Sequence, residues 1–586
     1  MRNFLKSYYG KINAVLIALL LVLLYALVLF WNAFGFLTSA GFIITNSFLL
    51  SLSTIPLLVY VAYKAKMIAD IKTIAFNFIN FIILLVILCF ISTVFWDNSY
   101  DGQTYHLQTI HELSKGWNPF KSFLNPDVPN HIFINHYDKA FEVFGNSIFQ
   151  LTGEIETSKV SNLMLLLAAW ILSFSYLKKL FTARWKKAFI YSALLVFNPV
   201  ISIQLFTFLF DCQIGLLFII LIFSFLFHLQ NKKWATIIWS SDIIILCSLK
   251  FTGLIYAGML AFFACCYLLY SQYKKNGFRL TKFMFISFFT ILFSVAFISA
   301  NPYYTNLASG KHIFYPLVGK NAVNIMIGTN APGSFNHKNR FQKFIIANTA
   351  VSSNIHGNKV APEPKFKLPF KVSLKEWTVF KSAAVLYGGL GPLFFGIMIL
   401  AIFVLLYLLA YKTLFKREFI YLVSCMVFSI FIIPECWLPR YVPQLWYVPV
   451  LVLLFYEIQI KKKKPVTVVS RVAYYLLIIN AGIIFMISVL SNIIITQQQK
   501  SEYTWLKNTH ADVKLISNEF ISSEYRLDKY DIPYQKLNNA DTSIFSSSLV
   551  FRPISSSSIM VLPKNTAPYI PGAFFKMLES HVKANK

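Results

Sequence analysis

A chain of 586 residues that is 57% hydrophobic, 13% charged and holds 59 Phe is not an ordinary soluble protein, because soluble domains carry about 25% charged residues. Its formal net charge of +29 would suit a nucleic-acid binder, but Lys and Arg cluster in short links between apolar runs, and no basic stripe interleaved with aromatics stands on a polar segment. The seven Cys show no CxxC pairing and lie mostly within apolar runs, so neither a disulfide framework nor a zinc ribbon is implied.

Along the chain, the first apolar run, Ile12 to Trp31, is long for a signal peptide and has no small-residue cleavage site after it, so it reads as an anchor. Stretches of roughly 20 apolar residues are needed to cross a bilayer, and about thirteen are expected. They fall near 12–31, 41–62, 73–95, 160–180, 187–206, 212–230, 234–249, 252–270, 282–300, 383–411, 418–433, 442–460 and 467–495. The links "YKAKMIADIK", "KKLFTARWKK", "QNKKW", "YKKNGFRLTK", "YKTLFKRE" and "KKKKP" are basic and fall on the side of the N-terminus. Those between them, such as "WDNSYDG", "LKFTG" and "PECWLPR", fall on the other. The positive-inside rule then puts the N-terminus in the cytoplasm and the C-terminus outside. The chain has no Asn-x-Ser/Thr sequon, which favours a bacterial inner membrane over the endoplasmic reticulum.

The expected architecture is therefore an all-α polytopic membrane protein. A transmembrane module spans 1–495, with outer loops at 96–159 and 301–382. Residues 496–586 form a small α/β extracytoplasmic appendage, with short β-rich runs such as "VKLIS", "SLVF" and "SIMVL". Loops this long are usually functional or small domains of their own.

The chemistry gathers on the outer side. In the first outer loop, "FWDNSYDGQTYHLQTIHELSKGWNPF", Asp101 directly precedes a helix that stops at Gly116. Leu107, Ile110, Leu113 and Trp117 recur at helical spacing, which predicts a helix lying flat on the membrane surface. Asp101 can cap that helix, and a helix N-terminus also favours the ionised form a general base needs. Asp97 is a second candidate. His106, His111, His131 and His136 fall in i,i+5 pairs, a spacing that does not stack two metal ligands on one helical face. They suit polar contacts to sugar or phosphate better, and "NHYDKAFE" at 135–142, with Lys139 and Glu142, is expected to close back over the site.

Other charges stand at the mouths of later spans: Asp211, Lys250, Glu435 and Arg440, with Lys311 and His312 in the second long loop. Lys250 lies in an apolar stretch that must hold two short helices. A lysine near membrane depth costs up to about 3 kcal/mol unless paired or solvated. It either snorkels or pairs with Asp211 or Glu435, or it holds an anion at the start of the helix after "KFTG". Arg440 offers a fork suited to phosphate oxygens. Carboxylates, cations and an apolar groove together suit transfer of a sugar from a lipid phosphate, whose leaving group needs no protonation. No nucleotide-binding motif is present.

The order of an apolar span, "DGQTYHLQTIHELSKGWNP", then "KFTG", "HIFYPL" and "RYVPQLW" resembles the integral-membrane GT-C glycosyltransferases, over roughly residues 73–460. The resemblance implies a GT-C-like fold and a polyprenyl-phosphate-linked sugar as donor. It implies Asp101 as catalytic base, with Tyr105, His106 and Gly116 following, and Asp211 as an assisting acid. It implies contacts to the donor phosphate from Lys250, His312 and Arg440; His111, Lys311 and Tyr315 are further candidate contacts to substrate, read from the residues of the outer loops. Two departures stand out: the usual Asp-Glu pair is Asp101-Gly102 here, and the loop follows the third expected span rather than the first. No cofactor is indicated, and metal dependence stays open. The acceptor is a glycan, a lipid or a protein. The alternatives are a transporter or flippase of lipid-linked saccharides, which would place ionisable groups near the midplane in two corresponding halves, and an O-antigen ligase or polymerase, whose outer loops would be richer in Arg and His.

Overall fold

The computed structural model describes residues 12–64, 70–181, 184–276, 281–326, 330–355, 360–410, 417–459, 466–537 and 548–571. Parts of all the basic links except "QNKKW" lie outside the described residues. All thirteen apolar stretches contain helix. Among the described residues, seven helices are long and apolar enough to cross a membrane, or eight if the bent pair Lys282–Ile298 and Ala300–Ala308 is one span. The rest are shorter, such as Trp185–Val196 with 12 residues, Lys233–Leu249 with 17 and Tyr447–Gln459 with 13. The count of thirteen expected from hydropathy is thus a count of apolar helices. A helix that is apolar all round can be buried by other helices as well as by lipid.

The helix Asp211–His228 shows this directly. Its apolar window is 94% buried inside the protein, against 22% for Ser47–Lys64 and Ile71–Val94. It packs against Val160–Phe181 and Lys233–Leu249, while the latter two also pack on Ala14–Thr38. Just before the start of Asp211–His228, the Phe208 N–H donates to Asp97 Oδ1 in the first long loop and Gln204 Nε2 to the Ala383 carbonyl at the end of the second.

The last long apolar helix, Val466–Thr509, runs unbroken for 44 residues. The boundary expected at 495/496 falls inside it, because "TQQQKSEYTWLKNT" contains no Gly or Pro to end a helix. Beyond it stands a four-stranded sheet of order β2-β1-β4-β3, with β1 Val513–Ile516, β2 Tyr534–Lys536, β3 Ser548–Phe551 and β4 Ile559–Pro563. β1 and β2 are parallel, joined through the helix Ser522–Lys529, and the β1–β4 and β4–β3 pairs are antiparallel. Trp96, from the first outer loop, is buried in the appendage's own core with Tyr503, Leu506, Leu515, Leu527 and Met560.

Candidate functional site

The first outer loop folds differently from a capped surface helix. Asp101 itself has helical backbone angles (φ −57°, ψ −35°) and its side chain makes no capping bond. The first turn, Gly102–His106, is π-helical, and an α-helix Leu107–Ser114 follows. Such turns cluster at functional sites because they widen the helix and re-aim its side chains. Leu107, Ile110 and Leu113 are buried, and Ile110 lies over Gly145 of the helix Ala140–Thr152. The apolar stripe therefore faces protein, not lipid. Gly116 ends this segment with φ +94°, a conformation that favours glycine.

Free of capping, the Asp101 carboxylate meets Arg440, whose Nη1 donates to its Oδ2 at 3.0 Å. Arg440 is delivered by two successive 3-10 turns, Pro439–Tyr441 and Pro443–Trp446, each opened by a proline whose fixed φ suits that position. The turns are pinned from behind: Tyr256 Oη donates to the Tyr441 carbonyl at 2.9 Å, Gln444 Nε2 to Tyr256 Oη at 3.0 Å, and Asn198 Nδ2 to the Pro443 carbonyl at 2.8 Å.

The second pair lies alongside. Lys250 Nζ donates to Asp211 Oδ1 at 2.6 Å. Lys250 is an extended residue (φ −164°, ψ 150°) between the helices Lys233–Leu249 and Phe251–Asn276, so the expected break falls at the lysine itself. Gly253 makes this break possible, since a Cβ there would stand 2.2 Å from the Leu246 carbonyl oxygen. Asp211 begins its helix, and of the two carboxylates expected as partners for Lys250, Asp211 and Glu435, it is Asp211 that pairs with it. Tyr441 joins the two pairs. Its ring centroid is 4.4 Å from Lys250 Nζ and 5.2 Å from Arg440 Cζ. The side chains of Asp101, Arg440 and Lys250 are 29%, 23% and 25% exposed, so a ligand can reach them.

Tyr105 and His106 close one wall. Tyr105 is packed 4.1 Å from the His106 ring and 6.1 Å from the Tyr137 ring. Burial, and then the Asp101 charge, hold the Tyr105 hydroxyl protonated. His106 is buried, with Nδ1 2.5 Å from Glu142 Oε1. Glu142 and Lys139 are thus turned inward rather than over the site, and Lys139 bonds the Asn301 side chain and the Tyr137 carbonyl. Burial pushes the Asp138 carboxyl up to about 8 and the Lys139 ammonium down to about 7.

Lys311 and Tyr315 form a separate cluster. His136 Nδ1 is 2.7 Å from Asn306 Oδ1, while Asn306 Nδ2 donates to two carbonyls. The His136 proton therefore sits on Nδ1, and the bare Nε2 accepts from Lys311 Nζ at 2.8 Å. Lys311 stands 4.4 Å from the Tyr315 ring centroid. Three candidates lie elsewhere. Asp97 has no exposed surface, and its Oδ1 accepts from the Phe208 N–H at 3.1 Å and from Ser99 Oγ at 2.9 Å. His111 bonds Tyr525 of the appendage at 2.8 Å. His312 is exposed and accepts from the Phe314 N–H at 3.1 Å.

Gly102 explains the departure from an Asp-Glu pair. A Cβ there would lie 2.2 Å from Ser99 Oγ and 2.7 Å from Asp97 Oδ2. No side chain fits beside Asp101. Among the described residues, no three His, Cys, Asp or Glu side chains are grouped closely enough to hold a metal ion. Tyr137, Tyr441 and Tyr256 were missed as site residues, although "RYVPQLW" contains Tyr441 and a Tyr beside a cation is a signal for cation–π contact.

No family model and no curated protein matches the chain. Among solved structures it is similar to ArnT from Cupriavidus metallidurans bound to undecaprenyl phosphate. The match covers 84% of this chain and 99% of that chain, with a TM-score of 0.43 and 9% sequence identity.

Proposed function

We propose that the chain is an integral-membrane glycosyltransferase that moves a sugar from a polyprenyl-phosphate donor to an extracytoplasmic glycan, lipid or protein acceptor. In this reading the N-terminus is cytoplasmic, and the site and C-terminus lie outside, as the basic links suggest. One observation carries the proposal. Residues 101, 211, 250 and 440, far apart in sequence, meet as two carboxylate–cation pairs around one tyrosine at the mouths of spans. The order of motifs that resembles the GT-C glycosyltransferases supports it.

The chemistry then follows from these groups. Arg440 and Lys250 exchange their carboxylate partners for the donor phosphate, Arg440 through its two-pronged fork and Lys250 as a point charge. Asp101, released from Arg440, takes the proton of the acceptor hydroxyl as its oxygen bonds to the anomeric carbon. The bond from that carbon to the phosphate oxygen breaks, and polyprenyl phosphate leaves with the electron pair. It needs no acid, because the two cations stabilise its growing charge. A single displacement inverts the anomeric centre. Tyr105, held protonated, offers a hydrogen bond to the sugar. Lys311 and Tyr315 are further proposed contacts to the substrate.

The test is sugar transfer by the full chain in detergent, with a panel of polyprenyl-phosphate sugars, for wild type and Asp101→Asn. A loss of about a hundredfold or more in the variant is expected for a general base. Equal rates would remove Asp101 from the mechanism. A second reading, a flippase of lipid-linked saccharide, draws on Asp242. This residue is buried within the helix Lys233–Leu249, and among the described residues neither of its carboxyl oxygens has a hydrogen-bond partner; such groups mark transport paths in membrane proteins. Movement of labelled lipid-saccharide across vesicles without turnover of any donor would favour it.

A further inference from the structure

Resting on the reading of Asp101 as the base, we infer that the C-terminal appendage is a positioning device for the segment that carries it. Besides the exposed bond that Tyr100 Oη donates to Glu519 Oε2 at 3.3 Å, the appendage grips residues 97–111 at three buried or half-buried points. Ser522 Oγ donates to Gln103 Oε1 at 2.7 Å, and Gln103 Nε2 donates to the Ser555 carbonyl at 2.7 Å. Arg526 Nη2 donates to the Asp97 carbonyl at 2.8 Å. Tyr525 meets His111 at 2.8 Å. Asp101 lies between the first two anchor points, four residues after one and two residues before the other.

The chemistry of these contacts is selective. Gln103 has no exposed surface, and two of the three bonds its amide makes go to the appendage. Arg526 is buried and makes no ion pair among the described residues. Its guanidinium lies 5.0 Å from the Trp96 ring centroid and bonds a backbone carbonyl of the loop. A buried cation with a carbonyl as partner is an expensive way to hold two surfaces together. It is an effective way to fix one stretch of backbone, because a charged donor makes a strong, directional bond. No side chain of the appendage touches Asp101, Arg440, Asp211 or Lys250 through a hydrogen bond or ion pair among the described residues. Ser522, Arg526 and Gln103 are therefore positioning residues. They set the direction of the Asp101 carboxylate through the backbone on either side of it.

The experiment compares full-length wild type with Ser522→Ala, Arg526→Ala and Arg526→Lys. It measures kcat and donor KM, thermal unfolding, and hydrogen exchange of the amides of residues 98–106. For Ser522→Ala and Arg526→Ala, kcat is expected to fall about tenfold or more with donor KM within about threefold, as for a misplaced catalytic group. The midpoint of unfolding stays near wild type, and exchange at 98–106 speeds up. Arg526→Lys recovers most of kcat, since one N–H still reaches the Asp97 carbonyl. Wild-type kcat in both alanine variants overturns the inference, as does a loss of kcat that only follows a loss of thermal stability. Should wild type transfer no sugar from any donor, the glycosyltransferase reading fails. The exchange measurement then decides the positioning role alone, and unchanged exchange at 98–106 overturns it.

Discussion

Asparagine at position 97 separates the two aspartates of the first outer loop. Burial, and next the Glu156 carboxylate, push the Asp97 carboxyl from 3.8 up to about 6, against the pull of Lys159 and Ser99. A carboxyl that holds its proton more tightly when folded makes the protein bind protons on folding. This group's contribution is therefore most favourable below pH 4, falls as pH rises from about 4 to about 6, and is level above that. About two pH units at 1.36 kcal/mol each amount to about 3 kcal/mol. An amide at position 97 accepts from the Phe208 N–H as the carboxylate does, and Ser99 Oγ can turn to accept from its NH2 group. It carries no charge, so this pH dependence disappears. The assay is unfolding in detergent between pH 4 and 7, taken as the difference between Asp97→Asn and wild type. The subtraction removes other groups that titrate in that range, such as Lys139 at about 7. The difference should move by about 2 kcal/mol in favour of the variant as pH rises from 4 to 6, because part of the full effect lies below pH 4 and above pH 6. Sugar transfer at neutral pH should stay within about threefold of wild type. A pH-independent difference would refute the burial argument, and a loss of transfer as deep as that of Asp101→Asn would refute the purely structural role of Asp97.

Gly102→Ala forces a methyl group to 2.2 Å from Ser99 Oγ. It should cost about 1–3 kcal/mol of stability as overpacking, read as a lower unfolding midpoint, and should slow transfer because residue 101 is its neighbour. Ser99→Gly in the same chain should return part of both, since the nearest clashing atom is gone. Lys250→Met leaves the Asp211 carboxylate, 7% exposed, without its ion pair. Breaking such a pair costs about 3 kcal/mol, and the double variant Lys250→Met/Asp211→Asn should be more stable than Lys250→Met alone in the same thermal assay. Neither variant should transfer sugar at the wild-type rate.

Periodicity and hydropathy reached the helical stretches, the break at Lys250 and the loop that presents Asp101, because each is written in neighbouring residues. They did not tell a helix buried among other helices from one on the surface of the bundle, since Asp211–His228 and Ile71–Val94 carry the same kind of apolar composition and differ only in what surrounds them. Asp101 reads locally as a helix cap, yet its partner Arg440 lies 339 residues away, and no local rule could prefer that bond to a cap. The amphipathic stripe of Leu107, Ile110 and Leu113 has the right spacing, but its period does not say whether lipid or the helix Ala140–Thr152 covers it. Asp211 and Lys250, 39 residues apart, were legible as a pair only because an unpaired lysine in that setting is costly. The link between the appendage and the loop was hidden, because Gln103 and Ser522 are polar residues of no distinctive pattern 419 positions apart.

Trp96 gives the molecule a clock. Its ring belongs to the core of the C-terminal sheet, and its backbone N–H donates to Thr496 Oγ1, 400 residues further on. At about 5–20 residues per second of synthesis, roughly 20–80 s pass between the emergence of the first outer loop and the arrival of the residues that complete its packing. A nascent or shortened chain already holds Asp101 but has Trp96 uncovered and the anchor for Gln103 still unmade. The order of synthesis thus delays assembly of this wall until the C-terminal segment has been made.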